Sequence, residues 1–482
     1  MLGEVSSARP RLWSAARRRA LLAAAFALLL ALLPSAWLWQ FTVDDALITA
    51  RVAHHVATGA GYRFNAGDPI SDAVTPVGFP LLLAPFAAEG PLAALRAAKI
   101  GGLLVWLATA AAIGAAIGRC GQRLWRFSPL ALLATSVPLG AWAVAGMETP
   151  LVTALATWAL VAGRFTPLVA GLCAAWRPEL IPWTATLACG MALVRRRRVD
   201  SVLFALLLTA LLPLSVALVR QLVFGSPAPL SVLAKPPDLD HGLRYAIGGL
   251  LLSGPPFLVL GPWRWRSLPP RDRVALAAGL VHLGAVVLAG GDWMAFYRLL
   301  VPVLPGLLLV GAALAERSPS WANTARLVAA VSASLLLLVL RGPDARHVGL
   351  HRQALIHSAA ASLAGAERVA ALDVGWVGAA TGADLLDLAG VTDRQIAALP
   401  GGHTSKRIPA GLIEARGTDR LVLLLGPGER LARPWQRSRF ARAVEQRLAR
   451  EAFEADFVTA AVLPLGGTRQ SYVVLRRVAG PD

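Results

Sequence analysis

The chain has 482 residues, of which 56% are hydrophobic and only 16% charged, against about 25% charged residues in a soluble domain. A net charge of +19 and a pI of about 11.4 raise nucleic acid as a partner, but the cations sit where membrane topology puts them, and no nucleic-acid partner is expected. Three cysteines, Cys120, Cys173 and Cys189, all in or beside apolar runs, exclude a disulfide framework.

Arg17–Arg19 precede a long apolar run with no good small-residue cleavage motif after it, so an uncleaved first helix is expected. Further apolar runs follow, and together they predict about 11 transmembrane helices, near 20–40, 97–118, 127–144, 149–163, 166–177, 180–194, 201–219, 242–262, 273–289, 299–315 and 326–341. Only helices satisfy their own backbone in lipid with such segments, so the fold class is an α-helical polytopic membrane protein. The spans flanking Arg177 are short, and Pro178 and Pro182 predict a helix break there. Residues 41–96 form a long first outer loop, within which Val77–Phe86 is too short to span and reads as interfacial or re-entrant.

From residue 344 the composition becomes that of a soluble α/β domain. Strands are expected at Arg368–Asp373, Leu385–Leu388, Arg420–Leu425, Val458–Leu463 and Tyr472–Leu475. A helix is expected at Arg437–Glu451, with Ala441, Val444 and Leu448 on its apolar face. The expected domains are therefore 1–343 and 344–482. With the N-terminus inside, the inner loops carry 19 cations and four acids, and the outer membrane loops ten of each sign. That is the positive-inside pattern, and Arg195–Arg198 reads as one of its anchors. Counting spans puts the 344–482 domain outside.

Six polar clusters then fall on the outer face. Asp44-Asp45 follow the first span. Their mutual repulsion raises one pKa and suits a general base or a cation ligand, while the plain alternative is a helix N-cap. Arg63, Asn65, Asp68 and Asp72 lie in a turn-rich stretch, preceded by His54 and His55, which read as a solvated helix face. Glu148 and the Trp176-Arg177-Pro178-Glu179 run place carboxylates and a guanidinium between apolar spans, where an Arg177–Glu179 or Arg177–Glu148 pair can be purely structural. Lys235 either snorkels or binds phosphate. Asp292 and Arg298 bracket Trp293, Phe296 and Tyr297; an aromatic belt explains the rings but not Asp292 or the glycine pair before it.

These residues resemble a known family. Asp44–Ile48, Asn65–Gly67, Gly146–Thr149, Arg177–Glu179, Lys235, Gly291–Met294 with Arg298–Pro302, and Asp387–Asp393 are similar to motifs of bacterial glycosyltransferases of the C-type (GT-C) fold, in the group containing the terminal arabinofuranosyltransferases of mycobacterial cell walls. The chain departs from that pattern at Leu47, where an aromatic is usual, and at Leu230-Ser231, where Asn-Thr is usual. The resemblance implies a glycosyltransferase of the inner (plasma) membrane with a polyprenyl-phosphate sugar donor and a cell-envelope glycan or lipid acceptor. Its N-terminus would be cytoplasmic and its C-terminal domain extracytoplasmic. Asp44 or Asp45 would take the acceptor proton. Arg298, Lys235 and Arg177 would hold the donor phosphate, and Glu148, Glu179, Asp292, Trp293, Asn65 and Arg63 would line the substrates. A divalent cation can share the phosphate role, but no ligand set demands a metal. A lipid-linked glycan transporter and a non-catalytic glycan-binding subunit are the competing classes.

Overall fold

The computed structural model describes residues 9–120, 136–196, 198–234, 238–252, 262–409, 411–451 and 457–478. The chain is mostly helical, with one small sheet near the C-terminus. Among the described residues, four helices are long and apolar enough to cross a membrane: Ala15–Trp37, Pro91–Arg119, Val199–Phe224 and Ser320–Leu363. Their apolar side chains face outward. On the helix Val199–Phe224, Val199, Leu207 and Leu222 are each at least 70% exposed. Such a surface belongs in lipid.

Among the described residues, fewer than eleven full-length crossings are present. Thr149–Val161, Thr166–Trp176 and Leu304–Ala315 are helices of 13, 11 and 12 residues, below the roughly 20 needed to span a bilayer. Prolines border two of these helices. Pro178 follows one helix, and Pro302 lies in a 3₁₀ turn just before another. The break expected at Arg177 is present, with a 3₁₀ turn at Pro178–Leu180 before the helix Ile181–Arg196. Much of the expected span 127–144, and the end of 242–262, lie outside the described residues.

The last apolar helix is longer than expected. It runs as Ser320–Leu363, 44 residues, through Pro343. Leu355, Ile356, Ala359 and Leu363 recur at helical spacing beyond the apolar run and are buried in a core shared with Leu47, Val369 and Val422.

The chain divides into two compact units. The first comprises Met1–Trp39, Lys99–Leu214 and Pro237–Arg346; the second comprises Gln40–Ala98, Ser215–Pro236 and His347–Asp482. In the first, Val152, Cys173, Leu187, Leu276 and Leu307 share one apolar core, which packs the helices 149–161, 166–176, 181–196, 270–288 and 304–315.

The second unit is built on a five-stranded sheet of order β2-β1-β3-β5-β4. Its strands are β1 (Arg368–Ala371), β2 (Asp384–Asp387), β3 (Arg420–Leu424), β4 (Phe457–Leu465) and β5 (Gln470–Arg477). β1 pairs in parallel with β2 and β3, whereas β5 is antiparallel to β3 and β4. All five lie at the segments expected as strands from the sequence, within a few residues at each end. Val369, Ala371, Val422, Leu424 and Val474 face one core with Leu47, Ile48, Val52 and Phe64 of the 41–96 segment. Ala370, Leu421, Leu423, Val473 and Leu475 face the other, with Val444 and Leu448. Period-2 alternation sends successive side chains to opposite faces.

The helix expected at Arg437–Glu451 begins only at Ala443, after a 3₁₀ turn at Trp435–Arg437. Ala441 is therefore outside it and exposed, and Glu445 instead shares its buried face. The Gly78–Leu83 helix is a single short piece inside the 41–96 segment.

Candidate functional site

The expected site residues that are described divide between the two units.

In the second unit, Asp44 and Asp45 open the helix Asp44–Ala57, whose N-cap position is Val43. The capping expectation is corrected in an unexpected way. Asp44 does not cap its own helix; its carboxylate accepts Gly375 N at 2.7 Å and Trp376 N at 2.9 Å. These are donors of the first turn of the helix Val374–Ala380, which normally lack intrahelical partners.

Burial, and next the negative charge of Asp373, push the Asp44 carboxyl up to about 7, against the opposing pull of Arg352 and the two N–H groups. The second carboxylate that raises Asp44 is therefore Asp373, and not the adjacent Asp45 as the sequence suggested. Asp373 is itself held by Tyr472 OH at 2.6 Å and by Arg442 at 2.5 Å. Arg442 also pairs with the buried Glu445 at 3.0 Å. Burial pushes the Glu445 carboxyl up to about 7. Arg352 donates to Thr42 O at 2.6 Å.

Asp373, Tyr472, Arg442 and Arg352 were not picked out from sequence. One signal was available for Asp373. It follows an expected strand directly and precedes Val-Gly-Trp, and residues at the carboxyl end of a parallel strand are where such sheets place their sites.

The 63–76 stretch is pinned rather than free. Asn65 donates to Leu385 O at 2.8 Å and accepts Leu385 N at 2.9 Å, so it continues the ladder of β2. Arg63 donates to Asp68 O at 3.2 Å. Asp72 forms a buried ion pair with Arg220. His54 and His55 are not a solvated face, because they donate to Ala87 O at 2.7 Å and Arg63 O at 2.9 Å. Asp387, in the Asp387–Asp393 block, accepts Ala389 N at 2.8 Å and Thr392 N at 2.7 Å, closing its own turn. Lys235 lies outside the described residues.

In the first unit, Arg177 joins both expected partners. Its Nε is 2.6 Å from Glu148 and its guanidinium 3.0 Å from Glu179. Arg177 and Glu148 are 4% and 1% exposed. Asp292 and Arg298 pair at 2.8 Å. The Arg298 guanidinium lies 5.8 Å from the Trp142 ring centre. Tyr245 is within electrostatic reach of Asp292, Arg298 and Arg177, so the two pairs are neighbours.

The backbone of the 290–297 run explains the glycines that an aromatic belt left unexplained. Gly290, Gly291, Phe296 and Tyr297 all have positive φ, of 83°, 70°, 60° and 50°. Left-handed backbone is easy for glycine and strained for the two aromatics. Trp142 Nε1 fixes the strained turn by donating to Phe296 O at 3.1 Å. Trp293 is exposed and stacks on His241 at 4.1 Å.

Among the described residues no group of three or more His, Cys, Asp or Glu side chains is arranged to hold a metal ion. No family model matches the chain, and no curated protein or solved structure shows significant similarity to it.

Proposed function

We propose that the chain is a membrane glycosyltransferase that moves a sugar from a polyprenyl-phosphate donor to a cell-envelope glycan or lipid acceptor on the outer face. Arabinofuranose is the sugar that the motif resemblance suggests. In this reading the N-terminus is cytoplasmic, the 344–482 domain is extracytoplasmic, and the short helices complete a GT-C bundle of about 11 crossings.

The observation that supports it best is the state of Asp44. A partly buried carboxyl at about 7 is matched to taking a proton from a hydroxyl near neutral pH. The acceptor oxygen then forms its bond to the anomeric carbon as the bond to the lipid phosphate breaks. Arg298, Arg177 and Lys235 are the proposed counter-charges for that leaving group. Asp45 is the second candidate base.

The test is transfer of labelled sugar from polyprenyl-phosphate arabinofuranose to a glycan acceptor by the full chain in liposomes. Wild-type protein transfers sugar and Asp44→Asn loses about 10²–10⁴-fold in rate. No transfer by folded wild-type protein sinks the proposal.

A second reading, a non-catalytic glycan-binding membrane subunit, is favoured by one observation. Asp44, Glu148, Arg177, Asp292 and Arg298 all have protein partners. That reading expects glycan binding without turnover, and binding that survives Asp44→Asn.

A further inference from the structure

The helices 149–161, 166–176 and 181–196 pack side by side in the first unit. Glu148 precedes the first, and Arg177 follows the second and precedes the third. The Gly163–Thr166 turn and Arg195 therefore lie at the other end of the same three helices, about 24 Å away along the 16-residue helix Ile181–Arg196.

A cavity of about 690 Å³ opens there, between that end and the first turns of the helix Val199–Phe224. Arg164, Arg195 and Arg198 stand on its rim, with Asp200 the one acid among the lining residues. Met191, Phe204 and Leu208 form apolar walls. Gly163 has φ +66°, and a Cβ there would sit 3.0 Å from the Arg195 guanidinium, so the glycine turn lets that side chain fold over it.

The wall continues onto an uncovered apolar face. Phe204, Leu207 and Leu211 are 63%, 70% and 55% exposed. Positive-inside topology accounts for arginines in a loop, but not for three of them around a cavity whose wall runs into lipid-facing side chains.

We propose that this cavity binds the phosphate headgroup of an anionic glycerophospholipid, with the acyl chains lying along the Phe204–Leu211 face. Guanidinium groups suit phosphate oxygens, which they bind in paired hydrogen bonds. Basic pockets between transmembrane helices take such headgroups. The cavity is at the opposite end of its helices from Arg177, and its occupant does not depend on the sugar-transfer reading.

The experiment reconstitutes the full chain in vesicles of three parts phosphatidylcholine to one part phosphatidylglycerol, then counts lipids retained after detergent extraction by native mass spectrometry. Wild-type protein should retain phosphatidylglycerol in preference to phosphatidylcholine. The triple change Arg164→Gln, Arg195→Gln and Arg198→Gln should weaken that retention about tenfold or more, and the matching triple Lys variant should restore most of it. Equal retention of both lipids, or undiminished retention by the Gln variant, overturns the proposal.

A second measurement leaves the arginines untouched. Ser201→Cys lies in the cavity lining, and dioctanoyl-phosphatidylglycerol should slow its alkylation where dioctanoyl-phosphatidylcholine does not. Protection by millimolar inorganic phosphate to the same degree would mean a free-anion site and overturn the lipid assignment; no protection by either anion overturns it altogether.

Discussion

Two backbone N–H groups converge on Asp44, and the charge of Asp373 stands behind it. This geometry makes proton state the controlling variable. A base must be ionised, so transfer should rise as pH increases through about 7 and level off above it. Asp373→Asn removes the neighbouring negative charge, lowers the Asp44 pKa, and should move the rising limb to lower pH. Initial rates measured from about pH 5 to about pH 9 decide the matter: a flat profile, or one that Asp373→Asn leaves in place, removes Asp44 from the proton transfer. The stability consequence runs the other way. A carboxyl raised from 3.8 to about 7 contributes stability below its unfolded pKa that is lost as pH rises through about 7. Asp44→Asn is also less conservative than its shape suggests, because an amide offers one acceptor where two N–H groups each need one. The sequence made Asp44 a candidate from its place after the first span, but it misassigned the neighbour that tunes it. Asp373 is 329 positions further along, and no local spacing brings that distance to zero.

Helix breaks organise the first unit. The turn between Trp176 and Ile181 places Arg177 against Glu148 and Glu179, and its proline was enough to locate it from sequence. A buried pair of this kind costs little when replaced whole and much when halved. Glu148→Leu alone should therefore destabilise the chain by about 3–5 kcal/mol, read as a lowered unfolding midpoint in detergent. Glu148→Leu with Arg177→Met should recover most of that loss. If the double variant recovers stability and also sugar transfer, Arg177 is a structural residue and not a phosphate ligand. The strands were legible because a sheet buried on both faces needs short, continuous apolar runs, and those runs stand out between polar and turn residues. Helix ends were less so: Trp435–Arg437 turns before Ala443, and helical spacing alone does not reveal where the helix begins. The crossings were legible only in part among the described residues for a related reason, since a window of apolar residues registers composition and passes over a Pro-broken backbone.

The molecule as a whole combines lipid-facing helices with a sheet unit whose pieces come from three stretches of chain. The proposed function has the 344–482 domain outside, a placement that rests on the charge split between loops and is open to test. Arg469, exposed in the turn between β4 and β5, is a suitable reporter. Arg469→Cys should react with a membrane-impermeant maleimide in intact cells. Labelling only after the membrane is breached would reverse the topology.

The discontinuity of the second unit also sets an order of events during synthesis. Asp44 leaves the ribosome 331 residues ahead of Gly375, whose N–H it will accept. At about 5–20 residues per second, that is a wait of roughly 20 seconds to a minute. Through that interval Leu47, Ile48, Val52 and Phe64 have none of the strand residues they will pack against. The early segment must be shielded by membrane or chaperone until the sheet arrives, and a ribosome that stalls before β1 releases a chain with an uncovered apolar face, a natural substrate for proteolytic clearance.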